Sequence, residues 1–221
     1  MRATAFSEGV HVRDGAAVLA GDLRVPADAA GLVIFAHGSG SSRFSPRNRG
    51  VAAVLEEGGF ATLLLDLLTR DEEAVDDYSR EYRFDIDRLG RRVVAATDWT
   101  AARRDLAHLP VAFFGASTGA AAALIAAAER PQIARAVISR GGRPDLAGDA
   151  LPRVHAPTLL IVGGDDEPVI RLNEEARRRM HATVALQIIP RATHLFEEPG
   201  ALDQVSRLAT DWCRRHLISK P

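Results

Sequence analysis

Three groups of residues, far apart in the chain, carry side chains suited to nucleophilic attack on a carbonyl. Ser117 lies at the centre of Gly115-Ala116-Ser117-Thr118-Gly119, Asp165 and Asp166 end the stretch Gly163-Gly164-Asp165-Asp166, and His194 sits in Ala192-Thr193-His194-Leu195-Phe196. A serine hydroxyl is a weak nucleophile at neutral pH. It needs a base within hydrogen-bond reach, and the base needs a third group that holds its tautomer and stabilises its charged form. Nucleophile, acid and histidine follow one another here in an order that such triads use.

The elements around these residues give the pattern its weight. Val111-Ala112-Phe113-Phe114 reads as a buried strand, and Ala120 to Ala128 is rich in the strongest helix former. A strand that turns directly into a helix holds the middle residue in a strained conformation with its side chain projecting. Glycines two positions either side remove Cβ atoms that would collide where strand and helix approach. Thr158 to Val162 is a second buried strand, and the two aspartates follow its carboxyl end, where sites in open α/β sheets gather. Either aspartate can instead cap the helix that Pro168 opens, so residue chemistry alone does not separate them. Val184 to Ile189 is the last strand, and His194 falls just past its end, where the base must come.

An attacked carbonyl also needs fixed N–H donors for its oxyanion. One is expected from Thr118, directly after the nucleophile at a helix start. The other is expected from the Gly-rich bend His37-Gly38-Ser39-Gly40-Ser41-Ser42, with Ser39 the first choice and Gly40 next. A phosphate loop does not fit this bend, because the Lys of G-x-x-x-x-G-K is missing.

The remaining elements complete one architecture. Val10 to Val12 and Ala17 to Val25 flank Asp14-Gly15 as an antiparallel hairpin, and Leu32 to Ala36, Ala61 to Asp66 and Ala134 to Ser139 are further short apolar runs. Helical stretches are expected at Pro46 to Glu57, Asp85 to Leu106, Thr118 to Glu129, Pro168 to Met180 and Pro199 to His216. The fold class is therefore α/β: an eight-stranded, mostly parallel sheet with helices on both faces, built as one domain over residues 1–221. Asp71 to Asp87, highly charged, is expected to be a solvated loop and helix start with Tyr78, Tyr82 and Phe84 folded inward.

Composition excludes several other classes. With 28 Lys and Arg against 29 Asp and Glu, the chain has no sustained positive field for nucleic acid. Its single cysteine, Cys213, leaves no internal disulfide or thiol cluster, and neither a metal nor another cofactor is expected. The first eight residues show no apolar export segment, so a cytoplasmic location is expected. Val111 to Ala128 is uncharged and as long as a short bilayer span, but glycines, Ser117 and Thr118 in its middle favour a strand, a turn and a buried helix. No membrane partner is expected, and the chain should be a monomer or homodimer.

These residues resemble the α/β-hydrolase superfamily, and more narrowly its dienelactone-hydrolase-like branch. The likeness covers nearly the whole chain and rests on His37-Gly38-Ser39-Gly40, the Gly115 to Gly119 elbow, Leu160 to Asp166 and Ala192 to Phe196. It implies an acid at the Asp that ends a G-x-x-D stretch, Asp166, with His194 as base. Dienelactone hydrolase itself has a cysteine nucleophile where this chain has Ser117, so the resemblance implies a general carboxylesterase acting on small soluble esters. Many relatives carry a lid after the sixth strand; Gly141 to Pro157 is too short for one. The other uses of such a fold are an idle small-molecule binder, or an acyltransferase or thioesterase with the same triad. Contacts to substrate are expected from His37, Gly40, Arg43, Arg140 and Arg143, and Arg47 lies on the same rim. Guanidinium forks at these positions suit a substrate carboxylate, or else simply a solvated surface.

Overall fold

The computed structural model describes residues 4–218. Residues 1–3, which belong to the stretch read above for an export signal, lie outside the described residues. Among the described residues, eight strands form one sheet in the order β1-β2-β4-β3-β5-β6-β7-β8. They are β1 (Thr4–Asp14), β2 (Ala17–Pro26), β3 (Leu32–Ala36), β4 (Ala61–Leu65), β5 (Val111–Ala116), β6 (Ala134–Arg140), β7 (Thr158–Gly163) and β8 (Val184–Ile189). β1, β2 and β4 pair antiparallel, and all the pairings from β4 to β8 are parallel. The hairpin expected near Asp14-Gly15 is present and longer than its apolar core suggested, with Gly15 at φ +59° in the turn.

Among the described residues, six α-helices cover the sheet: α1 (Pro46–Glu57), α2 (Arg70–Ser79), α3 (Ile86–Ala102), α4 (Thr118–Glu129), α5 (Glu167–Arg179) and α6 (Ala201–Leu217). β3, β4, β5 and β7 are buried at every position because both faces of the sheet are covered. Along β5, Phe113 enters one core with Val93 of α3 and Leu124 of α4, while Phe114 enters the other with Leu55 of α1 and Val205 of α6. Burying each such ring contributes about 1.5–3 kcal/mol, and Phe114 also stacks on Phe35 of β3 with centroids 4.8 Å apart. The uncharged Val111 to Ala128 run is β5, its turn and α4. No described helix is long and apolar enough to cross a membrane.

One stretch differs from expectation. Residues 70–79 form a full helix, α2, started by a capping box in which Thr69 Oγ1 accepts from Glu72 N–H and Glu72 accepts from Thr69 N–H. Of the three aromatics expected to fold inward, only Tyr82 packs against the core; Tyr78 is 92% exposed and Phe84 57%. Asp76 is the buried anchor instead, accepting N–H bonds from Tyr82 and Arg83. Beyond β6, residues 144–153 form short 3-10 turns that fill the link to β7, with no lid.

Candidate active site

The turn from β5 into α4 puts Ser117 at φ 51°, ψ −122°, a conformation that costs an L-residue about 1–3 kcal/mol. The surrounding glycines explain why it persists. A Cβ on Gly119 would lie 2.2 Å from the Ala36 carbonyl oxygen, and one on Gly115 would lie 2.4 Å from Ala120 Cα. Only glycine at both positions lets α4 pack this closely on β3 and β5. The turn is then fixed by Ser117 N–H donating to Arg140 O at 3.2 Å and by Arg143 N–H donating to Ser117 O at 3.0 Å.

Asp166 and His194 meet through another glycine. A Cβ on Gly163, the last residue of β7, would fall 2.3 Å from Ala192 O and 2.6 Å from Thr193 O, so the loops after β7 and β8 touch only because none is there. Asp165 N–H donates to Ala192 O at 3.0 Å across this contact, while the exposed Asp165 carboxylate makes no hydrogen bond among the described residues. Asp166 Oδ2 lies 2.7 Å from His194 Nδ1. A carboxylate can only accept at neutral pH, so Nδ1 carries the proton and Nε2 is left as the basic nitrogen. Asp166 stands at the N-cap position of α5 without capping it, which frees its side chain for the histidine.

The histidine loop is itself held rigidly. Arg191 (φ 60°) and Phe196 (φ 55°) bracket it in left-handed conformations, and Phe196 is buried as an anchor. Thr193 donates through N–H and Oγ1 to Glu198 Oε1 at 3.0 and 2.6 Å. Ser117 and His194 flank one dipeptide: Arg140 O holds the Ser117 N–H, and a Cβ on Gly141 would lie 3.6 Å from His194 Cε1. Among the described residues no hydrogen bond joins the Ser117 hydroxyl to the imidazole, a contact that commonly tightens only with substrate bound.

Beside Ser117, Thr118 opens α4, whose first turn receives no side-chain cap from Ser117. Ser39 N–H donates to Thr118 Oγ1 at 2.9 Å, so the two residues expected to hold an oxyanion adjoin, with the Ser39 donor resting on the Thr118 hydroxyl. Gly38 is pressed on the elbow: its Cβ would meet Ser117 Cβ at 3.0 Å. Gly40, at φ +68°, turns the loop outward beside a cavity of about 420 Å³ lined by Ser39, Gly40, Phe44, Leu68, Glu73 and Arg83.

Three residues expected at the substrate have their polar groups engaged within the protein. His37 spends both ring nitrogens inside the protein, Nδ1 on Gly38 O at 2.9 Å and Nε2 on the Leu67 N–H at 2.9 Å. It braces the loop, and burial pushes its pKa down. Arg43 is taken up by Asp66, which accepts its N–H at 2.7 Å as well as its guanidinium, and by Asp22 at 3.3 Å. Arg143 forks onto Asp145 at 2.8 and 2.9 Å. Arg140, in contrast, is buried with no acidic partner within salt-bridge reach among the described residues. Asn173 was not foreseen: from α5 it donates to Gly142 O at 3.0 Å and secures the Gly141-Gly142 bend, whose paired glycines after a strand were the available signal.

The dienelactone hydrolase family profile matches residues 16–215. A crystal structure of dienelactone hydrolase from Anabaena variabilis is 57% identical, covers 96% of this chain and 98% of its own, and superposes with a TM-score of 0.94. Est1E from Butyrivibrio proteoclasticus shares the fold at 17% identity, with a TM-score of 0.79 over 96% of this chain and 99% of that one. Mycobacterium tuberculosis proteins provisionally named phosphoribosyl transferase are 56% identical over 210 residues, 95% of this chain and 46% of theirs. The chain thus spans about half the length of those relatives. With its profile matched over nearly the full length and its sheet order and elbow in place, the chain belongs to the dienelactone hydrolase family of α/β-fold hydrolases.

Proposed function

We propose that the protein is a serine carboxylesterase for small soluble esters, with Ser117 as nucleophile, His194 as base and Asp166 as its orienting acid. The observation that carries this reading is the 2.7 Å Asp166–His194 contact, made on the same sheet rim as the strained Ser117 turn. In the first step Ser117 Oγ bonds to the ester carbonyl carbon while its proton passes to His194 Nε2. The N–H groups of Thr118 and Ser39 receive the oxyanion once Ser39 exchanges the Thr118 hydroxyl for the carbonyl oxygen. The ester C–O bond then breaks, and the His194 proton leaves with the alcohol. Water attacks the acyl-enzyme with its proton moving to His194, the Ser117–acyl bond breaks, and Ser117 regains its hydrogen as the acid departs. Asp166 stabilises the imidazolium in both halves.

The name carried by the mycobacterial relatives belongs to proteins about twice as long. The chemistry offered by this chain's own residues, a serine on an elbow with a histidine–aspartate pair, is that of acyl transfer to water. Hydrolysis of 4-nitrophenyl butyrate by the purified protein tests the reading. Turnover should fall by a factor of about 10³ or more in Ser117→Ala, in line with loss of a triad nucleophile; a near-normal rate in that variant would dispose of the assignment.

A further inference from the structure

Arg140 is the last residue of β6, its Cα paired with Ala116, directly before the proposed nucleophile. Its carbonyl is used by Ser117 N–H, but the residue is only 8% exposed, and Nε and Nη1 are enclosed without any acceptor among the described residues. Arg47, the second residue of α1, adds a third such nitrogen: its Nε is also enclosed and unpartnered, although Nη1 pairs with Glu197 at 2.9 Å. The two guanidinium groups are close enough to repel, and burial with that repulsion lowers the Arg140 pKa to about 10. It is still a cation at neutral pH. Other arginines around the site, Arg43, Arg83 and Arg143, each hold a carboxylate; the Arg43 Nε is also enclosed without a hydrogen bond, but an Asp22 oxygen lies 3.3 Å from it, whereas Arg140 has no carboxylate in reach among the described residues.

A buried cation without a counter-charge is costly, and its enclosed N–H groups add to that cost. Such a group is explained if an anion arrives with the ligand. We infer that Arg140, with Arg47 beside it at the positive end of α1, forms a subsite for an oxyanion group, carboxylate or phosphate, carried by the substrate a short distance from its scissile ester. The inference rests on the esterase reading for its catalytic meaning. The subsite itself does not depend on turnover.

The experiment has a binding arm and a kinetic arm. In the binding arm, sodium glutarate or inorganic phosphate is titrated against the Ser117→Ala protein at constant ionic strength, with thermal unfolding as the readout. Either anion at saturation should raise the midpoint by about 2–4 °C. The shift should vanish in Ser117→Ala with Arg140→Gln and shrink in Ser117→Ala with Arg140→Lys, which keeps the charge but loses the fork. The anion that gives the shift at the lower concentration names the group. In the kinetic arm, the 4-nitrophenyl monoester of glutaric acid is compared with 4-nitrophenyl butyrate. The wild type should favour the charged ester, and Arg140→Gln should cut that preference about tenfold to a hundredfold, chiefly through KM. No anion-specific shift in the parent protein, or equal shifts with and without Arg140, would overturn the subsite. If neither ester is turned over while the Arg140-dependent shift persists, the esterase reading fails and the subsite stands. Should the Gln variant not fold, the Lys variant decides: an undiminished shift and preference would contradict the inference.

Discussion

Asp166 occupies the helix-start position of α5 yet turns its carboxylate to Nδ1 of His194, 2.7 Å away, instead of capping its own helix. Its neighbour Asp165 contributes only a backbone N–H, to Ala192 O. Two adjacent aspartates that residue type cannot distinguish therefore have separate jobs. Asp166→Asn should lower kcat/KM for 4-nitrophenyl butyrate by about 10²–10⁴, because an amide stabilises neither the imidazolium nor the required tautomer. Asp165→Asn should change it less than about threefold, as for an ordinary exposed position. Steady-state kinetics on both variants check this; equal losses would mean that the acid is not assigned.

The contact between the β7 and β8 loops depends on the bare backbone of Gly163. Gly163→Ala would place a methyl group 2.3 Å from a carbonyl oxygen that belongs to backbone and cannot swing aside. A loss of about 2–4 kcal/mol in unfolding free energy is expected, typical of overpacking at a rigid site. Urea denaturation measures it. Gly9→Ala makes the control, since nothing lies within 4 Å of a Cβ there.

His37 predicts a stability change with pH. Its folded pKa lies below the ordinary 6.5 because burial disfavours the imidazolium, so the unfolded chain takes up the proton first. Its contribution is fully present above pH 6.5 and is lost as pH falls from there towards the folded pKa, by up to about 1.4 kcal/mol per pH unit. His216, half-buried beside Arg215, is shifted the same way and adds to the slope. His37→Gln should flatten the dependence of unfolding free energy between pH 7 and 5, while costing about 1–3 kcal/mol at pH 8 through the lost Leu67 and Gly38 bonds. An unchanged slope would show that His37 does not titrate in this window.

Much of this site is legible in the sequence because its constraints are local. The glycines of the elbow are two residues from Ser117 and leave a fixed spacing; β3 shows as an unbroken apolar run, β8 as a mostly apolar one, and both fall where those runs end, as α1 starts at Pro46. α2 was missed although Thr69 and Glu72 spell its capping box, because its only buried residue is Asp76 and no apolar stripe marks a core-facing side. The partners of the arginines were not readable at all. Arg43 finds Asp66 across 23 positions and Arg47 finds Glu197 across 150, distances at which sequence spacing carries no geometry. For the same reason Arg140 could not be told from Arg43 and Arg143 until the packing showed which guanidinium lacks an acid.

The central claim is that Ser117 is made nucleophilic by His194, and reaction with a fluorophosphonate tests it most directly. Mass spectrometry after peptide digestion should find one phosphonylated residue, Ser117, in the wild type, and labelling should slow at least about a hundredfold in His194→Ala. An unlabelled Ser117 in the folded wild-type protein, or labelling of Ser117 at the same rate without His194, would contradict the account.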